Sequence, residues 1–143
     1  VTIQFVLLAV IIGVPMPKFG EDFPDWVVGI GSVLVWVGLV ILALSIFKLG
    51  ASLTASPIPK NDSELKTDGL YKWMRHPIYT GLIAIALGLA IEAESLLAIL
   101  VALVLIALLN YKAKWEESFL LERYPEYRTY MSKTGRFVPR LNR

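Results

Sequence analysis

Two short stretches hold most of the side chains suited to chemistry. One is YKWMRHPIYTG, residues 71–81, which carries Arg75, Tyr79 and His76, the single histidine of the chain. The other is KAKWEE, residues 112–117, with Lys112 and the adjacent pair Glu116 and Glu117. Histidine and tyrosine can hold or move a proton near neutral pH. Two carboxylates beside apolar sequence need partners, because a bare buried carboxylate is expensive. Lysine and arginine can supply them, and so can a cationic ligand. Lys112 and Glu116 stand four apart and therefore share a helix face.

Other chemistries are poorly served. The chain has no cysteine, which removes disulfides and thiolate metal sites. His76 has no carboxylate at ligand spacing, so no metal is expected. There is no GxGxxG after a strand, no P-loop, no HExxH and no Ser-His-Asp frame. Nothing points to nucleic acid. The same residues also suit plain structural roles. Arg75 can anchor a membrane helix at its cytosolic end, and Trp73 with Tyr79 can join an aromatic belt. Pro77 can simply open a helix. Glu116 and Glu117 can lie on a solvated face, and Tyr124, Tyr127 and Tyr130 can pack at an interface.

The elements that must position these residues are apolar. Hydrophobic residues make up 56% of the 143, above the ~45–50% of soluble domains. They gather in four runs: Thr2 to Val14, Trp26 to Leu49, Ile78 to Ile91 and Leu96 to Leu109. The first lacks the basic start and small-residue cleavage site of a signal peptide and reads as a membrane segment. A crossing of the ~30 Å hydrocarbon core takes about 20 apolar residues. The last two runs are shorter and must recruit flanking residues or thin the bilayer. Between them lies the polar turn EAES, residues 92–95, so together they form a helical hairpin.

Loop charges set an orientation. Lys18 is the one basic residue in the first loop, beside Glu21, Asp22 and Asp25, and the turn carries Glu92 and Glu94. The remaining thirteen Lys and Arg residues lie between Lys48 and Arg75 or after Leu109. The positive-inside rule places the second loop and the C-terminus in the cytosol, with four crossings. The fold class expected is therefore all-α: a polytopic membrane protein of about four transmembrane helices with a C-terminal hairpin and a cytosolic interfacial helix. Its expected divisions are two N-terminal spans (1–49), a cytosolic loop and motif (50–77), the hairpin (78–110) and a cytosolic tail (111–143). Trp115, Phe119 and Leu120 extend the fourth helix as an amphipathic piece until Pro125. A short helix then runs to a stop at Gly135 and Pro139. Thr80, Ala84 and Gly88 form a small-residue stripe for helix contact.

Hairpin symmetry brings the two chemical stretches together. Counted from the turn, Glu116 falls opposite Tyr71, Lys112 opposite Arg75, and Tyr111 opposite His76. Arg75, His76, Tyr79, Lys112, Glu116 and Glu117 should then cluster at the cytosolic mouth of the bundle.

The ordered set of Arg75, His76, Pro77, Tyr79, Gly81, Glu116, Glu117, Tyr127, Tyr130, Phe137 and Pro139 resembles the isoprenylcysteine carboxyl methyltransferase family, to which phospholipid N-methyltransferases are related. The resemblance runs from about Leu65 to Pro139. It implies an integral membrane enzyme of the cell inner membrane that moves a methyl group from S-adenosylmethionine to a lipophilic or small acceptor, a carboxylate, amine or thiol. It implies cofactor contacts from Tyr71, His76, Pro77, Ile78, Tyr79 and Glu116, with Glu117 beside it, and from Leu65 in the stretch Ser63 to Lys66. Lys112 stands where the eukaryotic enzymes carry an arginine tied to substrate and catalysis. It keeps the charge and loses the planar fork. Lys112, Glu116 and Arg75 are the residues expected to act in catalysis, and the bilayer and the acceptor are the implied partners. An NADPH-dependent reductase of the sterol reductase type shares an Arg-His-Pro-x-Tyr-x-Gly element and is the alternative.

Overall fold

The computed structural model describes residues 2–13, 22–49 and 67–141. Among them the regular structure is helical: α1 (Thr2–Gly13), α2 (Asp25–Leu49), a 3-10 turn (Gly69–Lys72), α3 (Pro77–Glu92), α4 (Leu96–Arg123) and α5 (Tyr127–Lys133). All four apolar runs are helices, and EAES is the turn of a helical hairpin. Pro77 occupies the first turn of α3, where its missing N–H loses nothing. Glu94 closes the hairpin turn with φ 52°. Ser95 caps α4, its hydroxyl accepting from the Ala98 N–H at 3.2 Å. The Glu94 carboxylate also accepts from the Phe23 N–H at 2.8 Å, tying the start of α2 to this turn.

α2 and α3 pack antiparallel along their length, and glycines permit the approach. A Cβ on Gly38 would stand 2.8 Å from the Gly81 carbonyl, and one on Gly31 2.9 Å from that of Gly88. Small residues let helix backbones meet this closely where lipid gives no hydrophobic drive. The points of closest approach are Gly81 and Gly88, seven apart, of which Gly88 belongs to the expected stripe of Thr80, Ala84 and Gly88 and Gly81 extends it. Thr80 is instead occupied with the chain end: its hydroxyl donates to the Phe137 carbonyl at 2.7 Å.

α4 buries one face. Ala98, Ala102, Leu105, Leu109 and Ala113 recur at intervals of three and four and pack with Tyr79, Ala86 and Ala90 of α3. Leu7, Leu8 and Ile11 of α1 cover this core. The other faces are apolar and open. Trp26 and Trp36 of α2 are each 70% exposed and Phe47 86%, and Leu100, Leu103 and Val104 of α4 are exposed as well. Among the described residues two helices, α2 and α4, are long and apolar enough to cross a bilayer. Open apolar faces of this extent suit lipid and not water. α1 and α3 are shorter, with 12 and 16 residues. At ~1.5 Å per residue α4 is about 42 Å long and outruns the hydrocarbon core, so the helix continues unbroken past residue 110.

The tail folds back onto the motif. After α5 the chain runs parallel to residues 73–76 as an isolated bridge between Met74 and Gly135. Arg75 N–H donates to the Gly135 carbonyl at 2.8 Å and His76 N–H to the Arg136 carbonyl at 3.0 Å. At the far side, Lys48 pairs with Asp68, and Gly69 takes φ +62°, left-handed backbone that glycine adopts without penalty.

Candidate functional site

The site forms where the motif, the middle of α4 and the tail meet. Pro77 opens α3, so His76 sits just outside it with φ −128° and ψ 61°, while Tyr79 points from the first turn. Glu116 and Glu117, being adjacent, point in directions about 100° apart around α4. That separation gives the two carboxylates different surroundings.

Glu117 faces inward and is saturated. Its Oε1 accepts from Arg75 Nε at 2.8 Å, from His76 Nε2 at 3.0 Å and from Arg136 Nε at 3.3 Å. Its Oε2 accepts from Arg136 Nη2 at 2.9 Å. The side chain is 4% exposed. Arg75 spends its remaining reach on the end of α5: Nη1 donates to the Thr134 carbonyl at 2.7 Å and to that of Met131 at 3.1 Å. A cation there satisfies the last carbonyls of the helix. Among the described residues no buried side-chain nitrogen or oxygen lacks a partner.

Glu116 faces the other way and is more open, 17% exposed. The Tyr79 hydroxyl donates to its Oε1. Lys112 Nζ lies 4.0 Å from Oε1 and 5.4 Å from the centre of the Tyr79 ring. His76 Nδ1 lies 3.6 Å from Oε2. The His76 and Tyr79 rings stack, 5.4 Å apart and 4° from parallel, and Phe137 meets the imidazole edge-on. A carboxylate can only accept, so the His76 proton toward Glu117 sits on Nε2. Glu116 Oε2 thus lies beside the other ring nitrogen, and the imidazole stands between the two carboxylates.

Tyr71 is buried within the influence of Glu116. Burial, with the Glu116 charge second, raises its pKa well above the ordinary tyrosine value. The Tyr130 hydroxyl donates to the Tyr71 carbonyl at 2.6 Å, and burial raises the Tyr130 pKa too, followed by the influence of Tyr71. Tyr127 packs against Tyr130, its own pKa lifted by burial first and Glu117 second. All three remain phenols, able to donate.

The structure thus brings together Arg75, His76, Tyr79, Lys112, Glu116 and Glu117, with Tyr71 adjacent. Pro77 is fully buried and Ile78 packs on the core below. Leu65, and the whole stretch Ser63 to Lys66, lies outside the described residues. Hairpin symmetry misplaced the partners. His76 meets Glu117, six positions beyond Tyr111, and Tyr111 is 69% exposed. Symmetry assumed two helical arms, but His76 has left helical backbone, and more extended chain reaches further per residue, ~3.3 Å against ~1.5 Å. Arg136 and Asn110 were missed. Arg136 Nη1 donates to Asn110 Oδ1 at 2.9 Å. The signal was present: a buried glutamate demands cations, and Arg136 stands next to Phe137, itself part of the ordered motif set.

Comparison with known proteins follows the same lines. The family model described as phospholipid methyltransferase matches residues 26–127. A probable protein-S-isoprenylcysteine O-methyltransferase of Oryza sativa subsp. indica is 33% identical over 126 residues, covering 82% of this chain and 66% of that protein. The cobalt-zinc-cadmium resistance protein CzcN of Cupriavidus metallidurans is 36% identical over 85 residues, covering 58% of this chain and 39% of its own length. Among solved structures, the eukaryotic intramembrane Ras methyltransferase, isoprenylcysteine carboxyl methyltransferase, superposes with a TM-score of 0.72 at 22% identity, covering 96% of this chain and 50% of that one. This likeness shows a shared membrane-protein fold. The chain spans at most 66% of the length of these relatives. Nothing in these matches supports a reductase.

Proposed function

The chain belongs to the phospholipid methyltransferase family, and on that premise we propose that it is an integral membrane methyltransferase moving a methyl group from S-adenosylmethionine to a lipophilic or small acceptor. The observation that carries this reading is the Glu116 carboxylate on the partly open side of the cluster, with Tyr79, His76 and Lys112 around it. A partly open carboxylate suits an ammonium N–H donor, and the amino-acid end of S-adenosylmethionine carries one. The residues present therefore fit this cofactor.

Bound there, S-adenosylmethionine supplies an already activated methyl on a sulfonium. The residues of the chain then have modest tasks: to align, to exclude water and to balance charge. Glu116 holds the ammonium, with Tyr79 fixing its carboxylate. Tyr71, His76 and Tyr79 form the aromatic wall, and Pro77 and Ile78 set the backbone beneath it. Lys112 lies over the Tyr79 ring and faces the side from which an acceptor comes, where a cation can hold an acidic group. Arg75 and Glu117 hold the frame, since the donors of Arg75 are turned to Glu117, Met131 and Thr134. Four crossings, with residues 50–77 and 111–143 cytosolic, put this cluster at the cytosolic membrane face, at the level of lipid headgroups.

The test is direct. Purified protein in detergent should bind S-adenosylhomocysteine saturably, and labelled methyl should pass from S-adenosylmethionine into a product of a total lipid extract. Absence of saturable binding would sink the reading.

A further inference from the structure

We propose that the loop of residues 135–141 is a membrane-interface anchor: Val138 and Leu141 enter the acyl boundary of the leaflet beside the site, and Arg140 meets the lipid phosphates. This goes beyond the methyl-transfer reading and does not depend on it. Val138 is 74% exposed and Leu141 77%, and Arg140 between them is exposed as well. Single exposed apolar residues are ordinary on a surface, but the backbone that presents these is pinned. Gly135 N–H and Arg140 N–H both donate to the Trp73 carbonyl, at 3.1 and 3.0 Å, which closes the loop on one point. The turn is so tight that a Cβ on Gly135 would stand 1.9 Å from the Val138 carbonyl. Val138 is therefore held outward by a fixed turn.

Height decides what Val138 meets. Two contacts tie the loop to the border of the apolar spans. The Phe137 carbonyl accepts from the Thr80 hydroxyl at 2.7 Å, and Thr80 closes the first turn of α3. Arg136 Nη1 donates to Asn110 Oδ1 at 2.9 Å, and Asn110 is the first polar residue after the fourth apolar run. Both residues stand where a helix enters hydrocarbon. Val138 comes one residue after Phe137, ~3.3 Å along extended chain, and so lies at the same level. The surface it continues is the lipid-facing one of α3 and α4. Trp73, which receives the loop, carries Lys72 Nζ 5.1 Å from its ring centre, a pairing suited to headgroup level. Apolar side chains flanked by cations at this height fit an anionic leaflet. The anchor bears on the site, because the same segment accepts the Arg75 and His76 N–H groups and sends Arg136 to Glu117. Lipid thus helps to hold the back wall of the cluster.

The chain has no cysteine, so one introduced cysteine carries one label. Val138→Cys, Leu141→Cys and Glu122→Cys would each be labelled with a nitrobenzoxadiazole dye and placed in nanodiscs of phosphatidylcholine and phosphatidylglycerol. Glu122 is exposed and lies twelve residues beyond Asn110 on α4, ~18 Å, which makes it the aqueous reference. Dyes at 138 and 141 should be quenched several-fold more than at 122 by lipid spin-labelled near the headgroup, and shielded from iodide. Iodide reaching all three equally overturns the proposal. So does shielding from iodide without lipid quenching, since protein would then cover the loop. Removing phosphatidylglycerol should weaken the lipid quenching at 141, and Arg140→Gln should abolish that dependence; an unchanged dependence overturns the role given to Arg140. A second measurement uses no dye. In the same nanodiscs the double variant Val138→Ser, Leu141→Ser should exchange its Gly135 and Arg140 amide hydrogens about tenfold faster than wild type, with α3 and α4 unchanged. Equal exchange overturns the proposal as well. If a labelled chain fails to fold, exchange decides; if the double variant loosens α3 and α4 too, the dyes decide.

Discussion

Replacing Glu116 by Gln should separate ligand binding from folding. The substitution keeps size and shape, and the amide oxygen can still accept from Tyr79. What goes is the negative charge beside His76 Nδ1 and Lys112 Nζ, 3.6 and 4.0 Å away. A hydrogen bond to a charged group is worth about 1.5–3 kcal/mol, so S-adenosylhomocysteine affinity should fall roughly 10- to 100-fold. The unfolding temperature should barely move, because Glu116 is partly open and makes no contact with the tail. Glu117→Gln should do the reverse. It leaves Arg75 and Arg136, both facing a 4% exposed carboxylate, without their counter-charge. Breaking a buried pair this way costs about 3–5 kcal/mol, enough to lower the unfolding temperature by several degrees or more. Titration calorimetry and thermal unfolding on both variants, in one detergent, give the comparison. Wild-type affinity in Glu116→Gln, or lost affinity at unchanged stability in Glu117→Gln, would refute this division of labour.

Gly38→Ala sets a methyl against the Gly81 carbonyl, so α2 and α3 must separate. A loss of about 1–3 kcal/mol is expected, the cost of overpacking, and thermal unfolding checks it. Tyr130→Phe removes the hydroxyl that donates to the Tyr71 carbonyl. It should cost about 1 kcal/mol and weaken ligand affinity only a few-fold, since the phenol touches backbone. The chain lacks cysteine, so single cysteines introduced at Ala93 and at Arg140 should be labelled from opposite sides of sealed vesicles. Labelling of both from one side would refute the four-crossing topology.

Much of the fold was legible because lipid simplifies the physics. Every backbone group in an apolar run must be satisfied internally, so a run of apolar residues is a helix and EAES between two such runs is a turn. The continuation of α4 past the apolar stretch was legible from Trp115, Phe119 and Leu120, and its end at Arg123 from Pro125. Packing was less legible. Small residues mark the contact face of α3, and only the presence of Gly31 and Gly38 at matching heights on α2 picks out Gly81 and Gly88 as the points of closest approach.

The sequence by itself determined which side chains gather at one end of the hairpin. His76, Tyr79, Lys112 and the two glutamates lie at ends of one hairpin, and a hairpin returns its ends to one place. The different lives of the two glutamates were decided by tertiary structure. Sequence adjacency made Glu116 and Glu117 look alike, but the ~100° between neighbours on a helix sends them to different surroundings. Glu117 meets two arginines, one of them delivered by a tail that folds back from 19 residues further on. Glu116 meets a tyrosine, a lysine and the second nitrogen of the same histidine. That return of the tail is held by backbone hydrogen bonds between residues 73–76 and 135–140 together with Thr80, Arg75 and Arg136, long-range contacts whose pairing the local sequence pattern does not give.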